Sequence, residues 1–383
     1  MKIESIKARE IRMRLRNPFE TSFGVRQNRR IILIELRTDR GPGWGEVTAG
    51  EQPFYCPECT DTAWLILRDF LSVLVVGKDF GDVDGLIKAM APVRGHEMAK
   101  AAVENAAWDA IARQRAMPLH QLIGGTQNEV RCGVSLGIHS EINSLLDKIA
   151  EELSAGYQRI KLKIKPNKDI AVVAAVRKRY PDIELTVDAN SAYTIQDAPL
   201  LKVLDEFNLA YIEQPLEWNE IYGHAALQRQ LKTPICLDES IHGLRDAQAA
   251  VELGACKVIN IKLGRVSGHT EANRIQQYCL DHNIPAWCGG MNESGIGRAH
   301  NIAMSSLPGF VLPGDVSASN RYWEEDVIEP EVTVSPAGTI HMPRNPGLGF
   351  ELRHDYIESL TVRKEEWLPN AVVKNLAVNV ASS

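Results

Sequence analysis

The chain has 383 residues, more than the ~250 of a single α/β barrel, which leaves room for a second module. With 44% hydrophobic and 24% charged residues and a net charge of −6, it reads as a globular protein without a broad basic surface, so no nucleic-acid partner is expected. No run of ~20 apolar residues suits a membrane span, charges interrupt residues 1–16 where a signal peptide needs an apolar core, and seven scattered cysteines make no disulfide framework. A cytoplasmic protein with no membrane partner is expected.

In chain order, Ile11, Met13 and Leu15 alternate with arginines, residues 32–36 read as a second strand, and Asp39-Arg40-Gly41 marks a turn before a third at 44–47. This predicts a small antiparallel sheet. Cys56-Pro57-Glu58-Cys59 is a CxxC that could signal a zinc half-site or a redox dithiol. No second CxxC or paired His motif supplies further ligands, so a loop leading into a helix near Thr60 is the preferred reading. Helices are predicted over 60–76, 82–90 and 97–115, the last with Ala-rich faces suited to close packing.

The middle of the chain keeps a regular beat. Lys163, Asp188, Glu213, Asp238 and Lys262 stand 25, 25, 25 and 24 residues apart, each closing a short apolar run. That spacing fits a strand, a helix and two short loops, which puts five charged side chains at the same ends of consecutive parallel strands. By period-two alternation they share one face, with Leu162, Val187, Ile212, Leu237 and Ile261 on the other. Helical patterning over 170–179, 197–207, 244–253 and 270–282 would cover the apolar face.

Further strands are expected at 130–136, 285–288 and 310–312, making eight. A doubly wound open sheet would be apolar on both faces, so the alternation favours a barrel. The fold class is therefore α/β: a TIM-type (β/α) barrel of seven to eight units over 126–318, with an α+β capping domain formed by 1–125 and the returning segment 319–383. Turns are expected at 336–338 and 346–347, and 368–383 carries no strong signature.

Asp188, Glu213 and Asp238 on adjacent strands would repel one another inside a barrel unless a cation neutralised them. Oxygen-only ligands point to Mg²⁺, with Mn²⁺ or another divalent ion substituting, whereas zinc would favour His or Cys. The alternative is a set of solvated strand-end acids paired with lysines. Three carboxylates, a divalent cation and the ammonium groups of Lys161, Lys163 and Lys262 sum to a cationic site that attracts a small carboxylate substrate. Mutual repulsion and the metal would lower the lysine pKa values, and two lysines on opposite faces of a substrate could then exchange protons as general bases. The reaction class implied is abstraction of the proton α to a carboxylate through an enediolate. Lysine bases with Mg²⁺ are a known arrangement for such chemistry in enolase-type sites.

The motifs Lys161-Leu162-Lys163, Val187-Asp188-Ala189-Asn190, Ile212-Glu213-Gln214-Pro215, Leu237-Asp238-Glu239-Ser240 and Asn260-Ile261-Lys262 resemble the muconate-lactonizing subgroup of the enolase superfamily. Residues 17–24, Trp44-Gly45-Glu46, Gly264-Arg265-Val266 and 287–291 narrow the resemblance to the o-succinylbenzoate synthase / N-succinylamino acid (N-acylamino acid) racemase family. The resemblance covers nearly the whole chain. It implies Lys163 and Lys262 as the acid/base pair and Asp188, Glu213 and Asp238 as magnesium ligands. Lys161, Asn190, Asp238, Glu239 and Arg265 are implied as supporting residues, with Arg265 setting the reactivity of Lys262; otherwise Arg265 would be a surface charge or an ion-pair partner of Glu239 or another acid. The loops 19–23 and 53–55 are implied to close over the barrel mouth, and Phe19, Phe23, Tyr55, Ser135, Gly290, Met291 and Asn292 are implied as substrate contacts; otherwise Phe19, Phe23 and Tyr55 would be core residues of the small sheet, and Asn292 replaces an expected aliphatic residue.

Racemisation of N-succinyl amino acids and dehydration to o-succinylbenzoate, alone or together, both remain open. So do muconate cycloisomerisation, dipeptide epimerisation, which an Asp-x-Asp at the eighth strand would favour where this chain has Asp315-Val316-Ser317, and a barrel that binds an acyl amino acid or metal without turnover. The resemblance also implies a homo-oligomer.

Overall fold

In the computed structural model, which describes residues 1–22 and 24–369, the alternating N-terminal segments form a long antiparallel hairpin, β1 (Ile3–Thr21) and β2 (Gly24–Thr38). Then comes β3 (Gly41–Val47), and the strand Thr361–Trp367 pairs antiparallel with the other edge of β1. The hairpin pairs from Ile3 opposite Thr38 to Thr21 opposite Gly24, with register shifts between Ile3 and Ser5 and between Arg14 and Phe19.

The helix Glu97–Gln114 lies directly on β3. A Cβ at Gly43 would stand 1.9 Å from the Ala106 carbonyl oxygen, and one at Gly45 would stand 2.0 Å from that of Ala102, so only glycine facing alanine allows this approach. The helix predicted over 60–76 is present with a π-turn, Leu67–Leu71, in its middle. Cys56 and Cys59 are free thiols. Cys59 leads into the helix Thr60–Ile66, and between the two the carboxylate of Glu58 accepts from the amides of Met98 and Ala99 at 2.8 and 2.9 Å, capping the helix Glu97–Gln114.

Seven parallel strands follow in sequential order: β4 (Gly133–Leu136), β5 (Arg159–Lys163), β6 (Glu184–Asp188), β7 (Ile212–Glu213), β8 (Ile235–Leu237), β9 (Val258–Ile261) and β10 (Ala286–Cys288). The expected first strand, 130–136, is broken at Cys132. Glu129–Arg131 turns away to pair antiparallel with Thr339–His341, and only Gly133–Leu136 joins the barrel.

The expected eighth strand at 310–312 is not a regular strand. Single bridges link Ala286 with Phe310 and Cys132 with Gly314, and the Asp315 amide donates to the Cys288 carbonyl at 2.8 Å. Pro308 and Pro313 bracket this segment, and Pro313 has no amide hydrogen for the ladder, so the segment closes the curled sheet without extending it.

Leu162, Val187, Ile212, Leu237 and Ile261 are at most 1% exposed and lie in the main core beneath the helices. Burial of each is worth about 1.5–3 kcal/mol. The helices Ile170–Arg179, Leu244–Glu252 and His269–Asp281 match expectation; that at 197–207 divides into Ala198–Val203 and a 3₁₀ turn, Leu204–Phe207. Three more helices, Ile142–Ser154, Ile221–Gln228 and Gly295–Ser305, complete the outer layer. No helix among the described residues is long and apolar enough to cross a membrane.

Two buried glutamates join the modules. Glu46 on β3 accepts from the Ser294 amide, the Ser294 hydroxyl and the Gly297 amide, at the N-terminus of the helix Gly295–Ser305. Glu104 accepts from the amides of His269 and Thr270 at 2.9 and 3.0 Å, and from the Thr270 hydroxyl, at the start of the helix His269–Asp281. Each satisfies amide donors that a helix start leaves without partners, while burial pushes both carboxyls up, that of Glu46 to about 8.

Candidate active site

Parallel register places Lys163 opposite Asp188 and Asp188 opposite Glu213; Asp238 and Lys262 follow immediately after β8 and β9. All five side chains are at most 8% exposed. The Lys161 ammonium lies 2.8 Å from Glu213 Oε2, 2.7 Å from Asp315 Oδ2 and 3.4 Å from Asp188 Oδ2. Lys163 donates to Asp188 Oδ2 at 2.5 Å and to Asn190 Oδ1 at 2.7 Å, and Asn190 Nδ2 donates to Glu239 Oε1 at 2.8 Å. Lys262 donates to Asp238 Oδ2 at 2.8 Å.

Arg265 is not a surface charge; it is the ion-pair partner of a neighbouring acid, Asp238 rather than Glu239. It is buried, donates to Asp238 Oδ1 and to the Tyr55 hydroxyl, and is fixed by the carbonyls of Ile241 and Asn260. One carboxylate, Asp238, thus joins Arg265 to Lys262.

Sequence reasoning missed the layer below. Arg159 Nη2 pairs with Asp315 Oδ1 at 2.8 Å, Asn260 Nδ2 donates to Glu213 Oε1 at 2.8 Å, and the Trp287 ring lies 4.6 Å from the Lys161 ammonium and 4.9 Å from the Arg159 guanidinium. A signal was present: Arg159, Lys161 and Lys163 are three cations at alternate positions of one strand. The barrel mouth thereby holds five cationic groups (Arg159, Lys161, Lys163, Lys262, Arg265) and five acids (Asp188, Glu213, Asp238, Glu239, Asp315).

Burial and repulsion from Asp188 push the Glu213 carboxyl up to about 7, and burial with repulsion from Asp238 pushes Glu239 well above its ordinary range. Burial opposes charge on Asp238 as well, but Lys262 and Arg265 hold it well below the usual carboxylate range. The expectation of depressed lysines counted a divalent ion among the acids; with the carboxylates turned onto the ammonium groups instead, Lys161 and Lys262 stand above the ordinary lysine range. Burial lowers both, and direct carboxylate contact, from Asp315 and Glu213 on Lys161 and from Asp238 on Lys262, more than offsets it.

Among the described residues, no three His, Cys, Asp or Glu side chains are gathered into a metal cage as they stand. Each carboxylate of the trio is turned onto a lysine or arginine instead. The donor set nonetheless fits a hard divalent ion: three buried carboxylates from adjacent strand ends, oxygen-only, with Glu239 Oε2 buried beside them and without a hydrogen-bond partner.

Above these groups opens a cavity of about 420 Å³. It brings together Lys163, Lys262, Asn190, Phe19, Tyr55, Gly290, Met291 and Asn292, with Phe54 of the expected loop 53–55, as the sequence predicts, and adds Arg26 and Glu51, which it did not. Ser135 does not line it; it pairs with Lys161 in the ladder, and its carbonyl accepts from Arg321. Phe23 lies outside the described residues. The hairpin tip is fastened to the barrel by the Ile138 amide on the Glu20 carbonyl (3.1 Å), the Ser22 hydroxyl on the Asn190 carbonyl (3.2 Å) and a Glu20–Lys165 ion pair (3.2 Å). Asn292 adopts the left-handed conformation with φ 57°, and the Met291 amide donates to Glu293 at 2.7 Å.

Residues 3–124 match the family described as mandelate racemase / muconate lactonizing enzyme, N-terminal domain, and residues 144–356 match enolase C-terminal domain-like. The chain is 47% identical over 360 residues to an o-succinylbenzoate synthase of Geobacillus kaustophilus, covering 94% of this chain and 96% of that protein. It is 43% identical over 362 residues to an N-succinylamino acid racemase of Thermus thermophilus, covering 94% and 98%. The crystal structure of a member of the enolase superfamily from Listeria innocua is similar with a TM-score of 0.93 at 40% identity, covering 96% and 100% of the two chains.

Proposed function

Because the chain belongs to the mandelate racemase / muconate lactonizing enzyme group of the enolase superfamily, we propose that this enzyme abstracts the proton α to a carboxylate and racemises N-acyl, chiefly N-succinyl, amino acids. Dehydration to o-succinylbenzoate on the same residues is the companion activity, and the 47% identity to a synthase favours it. In this reading residues 126–318 are the catalytic barrel, while 1–125 and 319–383 form the cap.

The observation that carries the reading is that Lys163 and Lys262 line one cavity from non-adjacent strands, each backed by its own carboxylate. A substrate between them meets an ammonium or amine on each side. The neutral lysine takes the α-proton from one face and the protonated one returns a proton to the other, which inverts the centre. Lys161 stabilises negative charge that builds on the substrate carboxylate, and Arg265, acting through Asp238, sets the charge balance of Lys262. Asp188, Glu213 and Asp238 would hold Mg²⁺, which when bound supplies electrostatic stabilisation of that same charge. Dipeptides fit less well. Asp315 is committed to Arg159 and Lys161, and Ser317 stands where a second acid would hold a free ammonium.

Each enantiomer of N-succinyl-phenylalanine, incubated in D₂O with enzyme and Mg²⁺, is expected to lose its α-proton NMR signal together with optical rotation. No exchange from either enantiomer would overturn the racemase reading. Exhaustive chelation is expected to abolish exchange, and Mg²⁺ or Mn²⁺ to restore it; exchange that persists without metal would remove the carboxylate trio from the mechanism.

Gly289 offers a test of position. A Cβ there would stand 2.7 Å from Lys262 Cε and 2.3 Å from Asn260 Oδ1. Gly289→Ala is expected to displace the lysine and lower kcat about 10²-fold, the cost of a misplacement of ~1 Å, with the circular dichroism spectrum unchanged.

A further inference from the structure

The barrel supplies the floor of the cavity and the cap its roof, and their charges are handled differently. Lys163 and Lys262 at the floor are each neutralised by an aspartate. On the roof, β2 carries three arginines within five residues. Arg29 is fully buried and donates to the carbonyls of Thr48, Ala49 and Asn292. Arg30 forms ion pairs at 2.7 Å with both Glu10 and Asp61. Arg26 lines the cavity and has no ion pair or hydrogen-bond partner among the described residues; Glu51, on the same cavity wall, acts on it only at longer range.

Its position is nevertheless fixed. Arg26 is the cross-strand partner of Phe19, in a hairpin fastened to the barrel, and its Nη2 rests against Gly50, where a Cβ would stand only 3.1 Å away. Burial and the neighbouring Arg29 push the guanidinium down to about 9, an unusual cost for a group whose charge is otherwise unaltered in proteins. A largely desolvated guanidinium with no carboxylate partner, facing a ligand cavity, is a prepared anion subsite. Its planar fork matches a carboxylate in a bidentate pair.

Resting on the function proposed above, we propose that Arg26 recognises a second, distal carboxylate of the substrate, so that the preferred substrates are dicarboxylates such as N-succinyl amino acids. The reacting carboxylate lies at the barrel floor and the free end of the acyl chain reaches the cap. The same contact would serve both racemisation and dehydration, since an o-succinylbenzoate precursor also ends in a succinyl carboxylate. Arg26 is thus a specificity residue that takes no part in proton transfer.

The test compares N-succinyl-L-phenylalanine with N-butanoyl-L-phenylalanine, which has the same chain length and no distal charge, in wild type, Arg26→Gln and Arg26→Lys. Arg26→Gln is expected to raise KM about 10- to 100-fold for the succinyl substrate, the worth of one charge-assisted hydrogen-bonded pair, with kcat within about threefold. KM for the butanoyl substrate should not change, and Arg26→Lys should recover part of the loss. An equal rise in KM for both substrates would make Arg26 a support of the hairpin, and no change for either would remove it from the site; both overturn the proposal. If wild type turns over neither substrate, the racemase reading fails separately. Calorimetric binding of N-succinylglycine against N-butanoylglycine, to wild type and Arg26→Gln with Mg²⁺, then decides the subsite by the same comparison.

Discussion

Alanine at Lys163 or at Lys262 is expected to slow racemisation about 10²- to 10⁴-fold, the usual contribution of a general acid or base. The diagnostic result is the asymmetry that remains. Each lysine reaches one face of the substrate, so Lys163→Ala should still exchange the α-proton of one enantiomer in D₂O and Lys262→Ala that of the other, with neither inverting the centre at an appreciable rate. Separate NMR time courses for the two enantiomers read this directly. Loss of exchange from both enantiomers in both variants would mean that the lysines act as a unit on one face. Equal residual exchange from both enantiomers would mean that neither is the base. Arg265 and Lys262 share Asp238, so Arg265→Met is not a neutral control: it leaves Asp238 with one cation and alters the same base indirectly.

The largest expected effect on stability lies beneath the reacting groups. Asp315 is the shared counter-ion of Arg159 and Lys161, all three being at most 8% exposed, and its carboxyl lies well below the usual range: burial opposes its charge, but Lys161 and Arg159 outweigh that. Asp315→Leu would leave two cations buried, with Glu213 and Asp188 the remaining anions near Lys161. Removing one partner of a buried ion pair costs about 3–5 kcal/mol. Asp315 also stands on the segment that closes the curled sheet, its amide on the Cys288 carbonyl, so the loss should appear as a lower denaturation midpoint in urea and as weaker protection of that seam in hydrogen exchange. An unfolding free energy within ~0.5 kcal/mol of wild type, the usual range of a neutral substitution, would show that the network carries no net stability.

Most of the barrel was legible because its signal is periodic. A repeat of about 25 residues with alternating faces fixes the order and direction of the central strands and the side on which the charges lie, and the trio of acids with flanking lysines follows from that geometry alone. The sequence was silent where a local feature overrides the period. Pro308 and Pro313 reduce the eighth strand to isolated bridges, and Cys132 ends one pairing and begins another. Ser135 has the right face but lies too deep to reach the cavity. Arg26 and Glu51 were illegible for a different reason: they enter the site on a hairpin and on the loop after β3, both folding over the barrel, and nothing in local patterning says where such a segment lands. The direction of the lysine pKa shifts also depends on contacts between strands, which spacing does not supply.

Glu46 and Glu104 each reach from the cap to the first turn of a barrel helix, and those helices begin immediately after the loops that carry Lys262 with Arg265 and Gly290 with Met291. Lifting the cap would expose several amide donors and two carboxylates at once, so the modules should melt in a single cooperative transition. The same linkage bears on recombination among relatives. A cap transplanted from another member of the family would need to bring an acid at both positions, or the recipient barrel would fold with its substrate loops unanchored.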